Sequence, residues 1–307
     1  MKMNLRKGLQ VAVVGVLGSA LAAVAGEQLE KMTGKLPGQL LLGCGNRVIV
    51  VDAEGAVIRS HKTGNVHDAW MLPSGNILVA DSTVTEFAPD AKVVFQFKSK
   101  EPKGGGVYGC QRLDNGNTLA IENSLGRILE VDAKGDIVFT QQITPAKPGS
   151  HSNTRIGRKL KNGNYLVCLK DGHAVREYSP KGEIVQEIKT KNIAFAAFRT
   201  SRNTTLISSI DQVTEYDAAG QQVWEFAKND LPGMPIQNMT GIQELPNGNL
   251  VIGCYSAYGK DGKGTGIFEI TREKKLVWSC ADARINKSFM AFQLLDKDGK
   301  PLVGDVR

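Results

Sequence analysis

Short apolar or alternating runs follow one another along this chain, each bounded by Gly, Asn, Asp or Pro. Alternation with period two reads as β-strand, and the bounding residues read as turns. The runs come in sets of four. One set spans 67–98, the next 108–143, then 154–188, a degenerate copy at 195–226 and a fifth at 240–279. Four of the sets repeat one phrase: LPSGNILVA from Leu72, LDNGNTLAI from Leu113, LKNGNYLVC from Leu160 and LPNGNLVI from Leu245. These phrases lie at multiples of roughly 40 to 50 residues, a period that marks a repeat architecture.

Within each set we name the runs A to D. The A–B turn is of the Asn-Gly-Asn type, in which the central residues tolerate positive φ. The C–D turns have the same character, as in Ala-Lys-Gly-Asp at 133–136 and Pro-Lys-Gly-Glu at 180–183. Four antiparallel strands with short turns form one sheet that cannot cover both of its faces. Radial packing of copies around an axis covers both, which predicts an all-β fold, a β-propeller of four-stranded antiparallel blades.

The ends of the pattern predict how the ring closes. Residues 36–60 supply strands B, C and D without an A, and residues 289–303 supply an A strand without C or D. The late strand therefore completes the first blade, giving six blades. A short strand near Met32 would instead begin a seventh, partial blade.

Ahead of the repeats, Lys2, Arg6 and Lys7 precede the apolar stretch VAVVGVLGSALAAVA, and Ala23-Val24-Ala25 gives a small-x-small pattern. That order predicts a signal peptide over 1–25 and a periplasmic or secreted protein. A short N-terminal segment, 26–35, then leads into a single propeller domain over 36–307. No later run is long enough to span a membrane. Without those three cations the formal charge of +7 falls to +4. The remaining Lys are scattered over turns, and nothing marks a nucleic-acid surface. Five Cys at no CxxC spacing, together with scarce His, give no support for a metal site. No cofactor is predicted.

Strand A lines the axis of a propeller, and its start faces the mouth where the D–A loops gather. The residue five before each turn-opening Leu is His67, Tyr108, Arg155, Phe195, Thr240 and Met290 around the ring. A His, a Tyr, an Arg and a Thr facing one axis suggest a polar or anion-binding pocket. The loop PGSHSNTRIGR, 148–158, adds His151, Asn153, Arg155 and Arg158. The candidate ligand-binding residues are thus His67, Tyr108, His151, Asn153, Arg155 and Thr240, with His67 and His151 as candidate catalytic groups. The same residues also suit structural roles: His67 satisfying hydrogen bonds at the mouth, Arg155 paired with Asp68, and Arg158 on the surface. His173, in the Asp-Gly-His turn between B and C, is expected on the opposite rim and carries no assigned role.

The repeat grammar resembles that of the PQQ-like and arylsulfate sulfotransferase propellers of bacteria over residues 36–303. VHDAWMLPSGNIL at 66–78 and the blade ending E-[VY]-[DS]-x-x-G-x-[IV]-[VW] carry the resemblance. It implies that His67-Asp68 opens a blade and that His151 and Asn153 match a sulfuryl-binding His-x-Asn. The covalent His of that family would fall at Asn238-Met239-Thr240, where no His stands, and its separate N-terminal β domain is missing. A His nucleophile has no substitute in Met or Thr. The expected function is therefore a non-catalytic exported propeller that binds a small anionic ligand or a protein partner. A sulfotransferase- or hydrolase-like enzyme using the His/Arg/Asn cluster is the alternative.

Overall fold

The computed structural model describes residues 27–100, 103–143, 146–255, 264–282, 291–304 and 306–307. The signal peptide expected over 1–25 lies outside them. The described strands form six antiparallel sheets, each with strands A to D in order, as blades of a β-propeller. No described helix is long and apolar enough to cross a membrane.

Blade 1 is the split one. Its A strand, Phe292–Leu294, pairs with the B strand Leu40–Cys44 in the register Leu40 to Leu294 and Leu42 to Phe292. The ring closes as the pattern of runs predicts. The segment near Met32 begins no seventh blade. Lys31–Thr33 adds instead as a fifth strand on the outer edge of blade 6, opposite Ser279–Ala281. A little earlier, Gln28 bridges Ala56 of blade 1. This stretch therefore fastens the same seam from outside that Phe292–Leu294 fastens from inside.

Each A–B turn holds a residue in the left-handed region at its fourth position. It is Gly75, Gly116, Gly163 or Gly248 in the Asn-Gly and Ser-Gly turns and Asn203 in the degenerate copy, at φ +60°. Asn is the side chain that best tolerates that backbone, so the fifth blade keeps its turn without the glycine. The blade 1 turn is shifted by one. Gly299 fills the position, so the turn opens on Asp296 and not on Leu295. The residue five before it is Ala291, fully buried, and not Met290, which is outside the described residues.

The repeated Asn and the repeated Glu of strand C belong together. Asn76 donates to Glu86, Asn117 to Glu130, Asn162 and Asn164 to Glu177, and Asn249 to Glu269. Every C–D pairing has a register shift at this point, which turns the Glu toward the A–B turn. Three of these carboxylates then take a cation from the inner strand of the next blade. Arg112 pairs with Glu86 at 2.5 Å, Lys159 with Glu130 at 2.5 Å and Arg199 with Glu177 at 2.6 Å. Glu215 takes Arg272 of blade 6.

A second set of bonds stitches the A strands around the axis. Gln293 accepts from the Met71 N–H, Trp70 donates to the Cys110 carbonyl and Gln111 accepts from the Lys159 N–H. Ile156 N–H donates to the Phe195 carbonyl, Ser208 donates to that of Thr240, and Gln243 both donates to and accepts from Leu294. Every seam of the ring carries one such stitch. All five cysteines are buried free thiols within this framework. Burial pushes Cys254 and Cys280 up to about 12, which leaves them inert small apolar residues.

Replacing Glu177 with Ala strands Arg199 between blades and frees two Asn donors. We expect a loss of about 3 kcal/mol in urea unfolding. Val185→Thr, on the exposed outer strand of the same blade, should change stability by less than about 0.5 kcal/mol.

Candidate functional site

Strand B runs opposite to strand A, so the B–C turns share the mouth with the D–A loops. His173 is therefore on the mouth side and not on the opposite rim. Its turn joins the mouth loop through the Asp171 N–H, which donates to the Ser152 carbonyl at 3.3 Å, and through Lys170 Nζ, 3.2 Å from Ser152 Oγ. His173 itself is exposed, at φ +41°.

Backbone pairing beyond the strand ends fixes the mouth. His67 N–H donates to the Ala80 carbonyl and Arg155 N–H to that of Cys168, both at 2.8 Å. Tyr108 is the unpaired residue of a bulge, since Gly109 faces Ile121 and Val107 faces Glu122. Such a bulge re-aims its side chain. Gly105 passes directly over the tyrosine: a Cβ there would lie 2.3 Å from the hydroxyl. The Gly104–Gly106 run is thus a close-approach device rather than a phosphate loop. Thr240 occupies the matching bulge of blade 6, between Met239 and Gly241. Its hydroxyl donates to the Gly253 carbonyl at 3.2 Å, and the residue is fully buried.

The structure brings four of the six candidate residues into one cluster. The His67 and Tyr108 rings lie 4.0 Å apart, and the Tyr108 hydroxyl is hydrogen-bonded to Nδ1 of His151. The Arg155 guanidinium lies over Tyr108 at 5.1 Å and over Phe195 at 6.0 Å. Asn153 and Thr240 have other work. The Asn153 carboxamide accepts from the Lys147 N–H and donates to the Asn123 and Lys147 carbonyls. Asn123 in turn holds the Thr154 N–H and the Ser150 carbonyl, so the two Asn lace the loop in place.

Arg155 is only 7% exposed, yet among the described residues it forms no ion pair with a carboxylate. Its Nη1 donates to the His151 and Thr154 carbonyls at 3.2 and 3.0 Å, and its Nε and Nη2 donate to no described residue. Burial lowers its pKa. His67 Nδ1 is likewise buried without a partner. Burial, then Arg155, then His151 push the His67 pKa down to about 3. Two groups unmarked by the axial register also reach the cluster. Asp171 and Tyr255, from B–C connections, lie close enough to act on the charge of Arg155. Tyr255 also acts on Tyr108, whose pKa is raised by its own burial. The signal that could have found them is the antiparallel geometry, which returns every strand B to the mouth.

The carboxylate of Asp68 goes to Arg158 and not to Arg155. Arg158 Nη1 and Nη2 lie 2.7 and 3.2 Å from its two oxygens, across blades 4 and 2, and both residues are buried. Arg158 and Arg307 lie over Trp70 at 4.8 and 4.4 Å. Arg307 donates to the Ala69 and Phe292 carbonyls, while its own carbonyl accepts from Arg158 Nε. Among the described residues no group of His, Cys, Asp and Glu could hold a metal ion.

The fold is that of a six-bladed β-propeller, with a cluster of polar and aromatic side chains at one mouth of its axis. Similar solved structures include a protein of unknown function from Bacteroides caccae, with TM-score 0.72 and 20% identity over 85% of this chain and 98% of that one. Virginiamycin B lyase from Staphylococcus aureus matches with TM-score 0.56 and 13% identity over 82% and 86%. The extracellular domain of a hybrid two-component system from B. thetaiotaomicron gives TM-score 0.56 and 15% identity, over 86% of this chain and 35% of that one. At these identities the likeness is one of fold. No family model matches the chain, and no curated protein does, so the sulfotransferase resemblance rests on its motifs alone.

Because His67 is held neutral, acid destabilises the fold. Below pH 6.5 the unfolded state takes up a proton that the folded state refuses until its pKa of about 3. Stability should fall as pH drops through that window, by up to about 1.4 kcal/mol per pH unit from this group. Urea unfolding at pH 7, 6 and 5 should show His67→Asn losing one proton's worth of that slope.

Proposed function

We propose that this protein is an exported, non-catalytic β-propeller that binds a small anionic ligand at the mouth formed by His67, Tyr108, His151 and Arg155. One observation carries the reading: a guanidinium nine-tenths buried at the mouth of the axis, in ion-pair contact with no carboxylate of the described residues. A buried charge is costly unless paired, and removing its partner typically costs several kcal/mol. A site that tolerates this cost in the free protein is matched to an anion that arrives from outside.

The same geometry favours binding over catalysis. An imidazole with a pKa of about 3 holds no proton to give at neutral pH and is a weak base. His151 keeps its Nδ1 on Tyr108. At the place where the sulfotransferase resemblance would put a nucleophile, Met239 and Thr240 are fully buried. Export rests on the order of charged, apolar and small residues over 1–25.

Thermal denaturation against sulfate, phosphate, aryl sulfates, dicarboxylates and benzoate tests the proposal. At least one anion should raise the wild-type midpoint, with about 2.7 kcal/mol gained at a hundredfold excess over Kd. Arg155→Ala should abolish that gain. If no anion shifts the wild type, the reading fails and a protein partner on this face takes its place.

A further inference from the structure

Building on that anion-binding reading, we infer that the ligand is a monocarboxylate carried on a flat apolar body, gripped edge-on by Nε and Nη2 of Arg155. The first argument is which donors remain. Nη1 is spent on two carbonyls of its own loop, so among the described residues Nε and Nη2, side by side on one edge, are left without an acceptor. Two parallel N–H bonds at that spacing fit the two oxygens of a carboxylate.

The second argument is what is absent around that edge. A sulfate or phosphate is tetrahedral and is usually held by several donors, commonly backbone N–H groups pointing inward. Here five neighbouring N–H groups of the described residues are already committed. Those of His67, Arg155, Phe195 and Tyr255 donate to the carbonyls of Ala80, Cys168, Ser208 and Asn238, and that of Thr154 donates to Asn123 Oδ1. Local charge agrees. Among the described residues Arg155 and Lys170 are the cations here, and the exposed Asp171 acts on the charge of both. One net positive charge suits a monoanion better than a dianion.

The third argument is the walls. The Arg155 guanidinium lies over the Tyr108 and Phe195 rings, 5.1 and 6.0 Å from their centroids. Phe195, Tyr255 and His67 are partly exposed at this mouth. Aromatic surface at the rim favours a flat apolar body behind the carboxylate.

Calorimetric titration of the purified protein with benzoate, acetate, benzyl alcohol and sulfate separates the terms. Benzoate should bind at least tenfold tighter than acetate, which lacks the body, and than benzyl alcohol, which lacks the charge. It should also exceed sulfate tenfold. Arg155→Lys keeps the charge and loses the fork, and should weaken benzoate at least tenfold. Phe195→Ala should weaken benzoate and leave acetate unchanged, which covers the case in which the Arg155 variant does not fold. Sulfate binding more tightly than benzoate would overturn this inference and leave the anion-binding reading standing. Equal binding of benzoate and benzyl alcohol would overturn it as well. Binding of no anion at all would sink both.

Discussion

A four-stranded blade with two apolar faces cannot exist alone, and the rest of this structure depends on the ring that covers both. Closure therefore has to be secure. The seam between blades 6 and 1 is held by Phe292–Leu294 on the inside, by Gln243 on Leu294 at the axis, and by Lys31–Thr33 on the outside. Each is a hydrogen-bonded contact between segments distant in the chain. Loop-closure entropy makes such contacts costly to form first and cooperative once formed.

The seams also explain why the chain repeats a polar motif inside an apolar pattern. The Asn of the inner turn and the Glu of strand C form one unit, and the unit reaches the next blade through Arg112, Lys159 or Arg199. A carboxylate that accepts from an amide and a cation at once has few unsatisfied lone pairs, so its burial is tolerated. Blade 1 lacks the Glu, with Val50 opposite Arg59, and there Arg59 reaches the Gly75 carbonyl of blade 2 directly. The clamp is thus a repeated solution to one problem, orienting one sheet against the next.

The mouth cluster differs from these clamps in how it holds its cation. The partly buried clamp cations Arg112, Lys159 and Arg199 each take a carboxylate, and so does the buried Arg158, on Asp68. Arg155 has aromatic faces and two carbonyls instead. The scaffold holds it through bonds that do not involve its charge: the loop laced by Asn123 and Asn153, and the extended pairing of its own N–H.

The fold was legible in the sequence because its causes are local. Period-two runs, turns that need positive φ and a first unit lacking its A strand are all written within a few residues, and they led to six blades and the closing strand. The candidate site was legible in part. His67, Tyr108 and Arg155 share an axial register, and the register brought them together. It could not show that Arg158 rather than Arg155 takes Asp68, because that pair joins blades 2 and 4 across the axis. Nor could it show that Asn153 is spent within its loop, that the blade 1 turn is shifted by one residue, or that Tyr255 and Asp171 reach the mouth from the B–C connections. Those outcomes depend on where six inner strands converge on one axis, and distances across an axis are set by the closed ring and by no single stretch of chain.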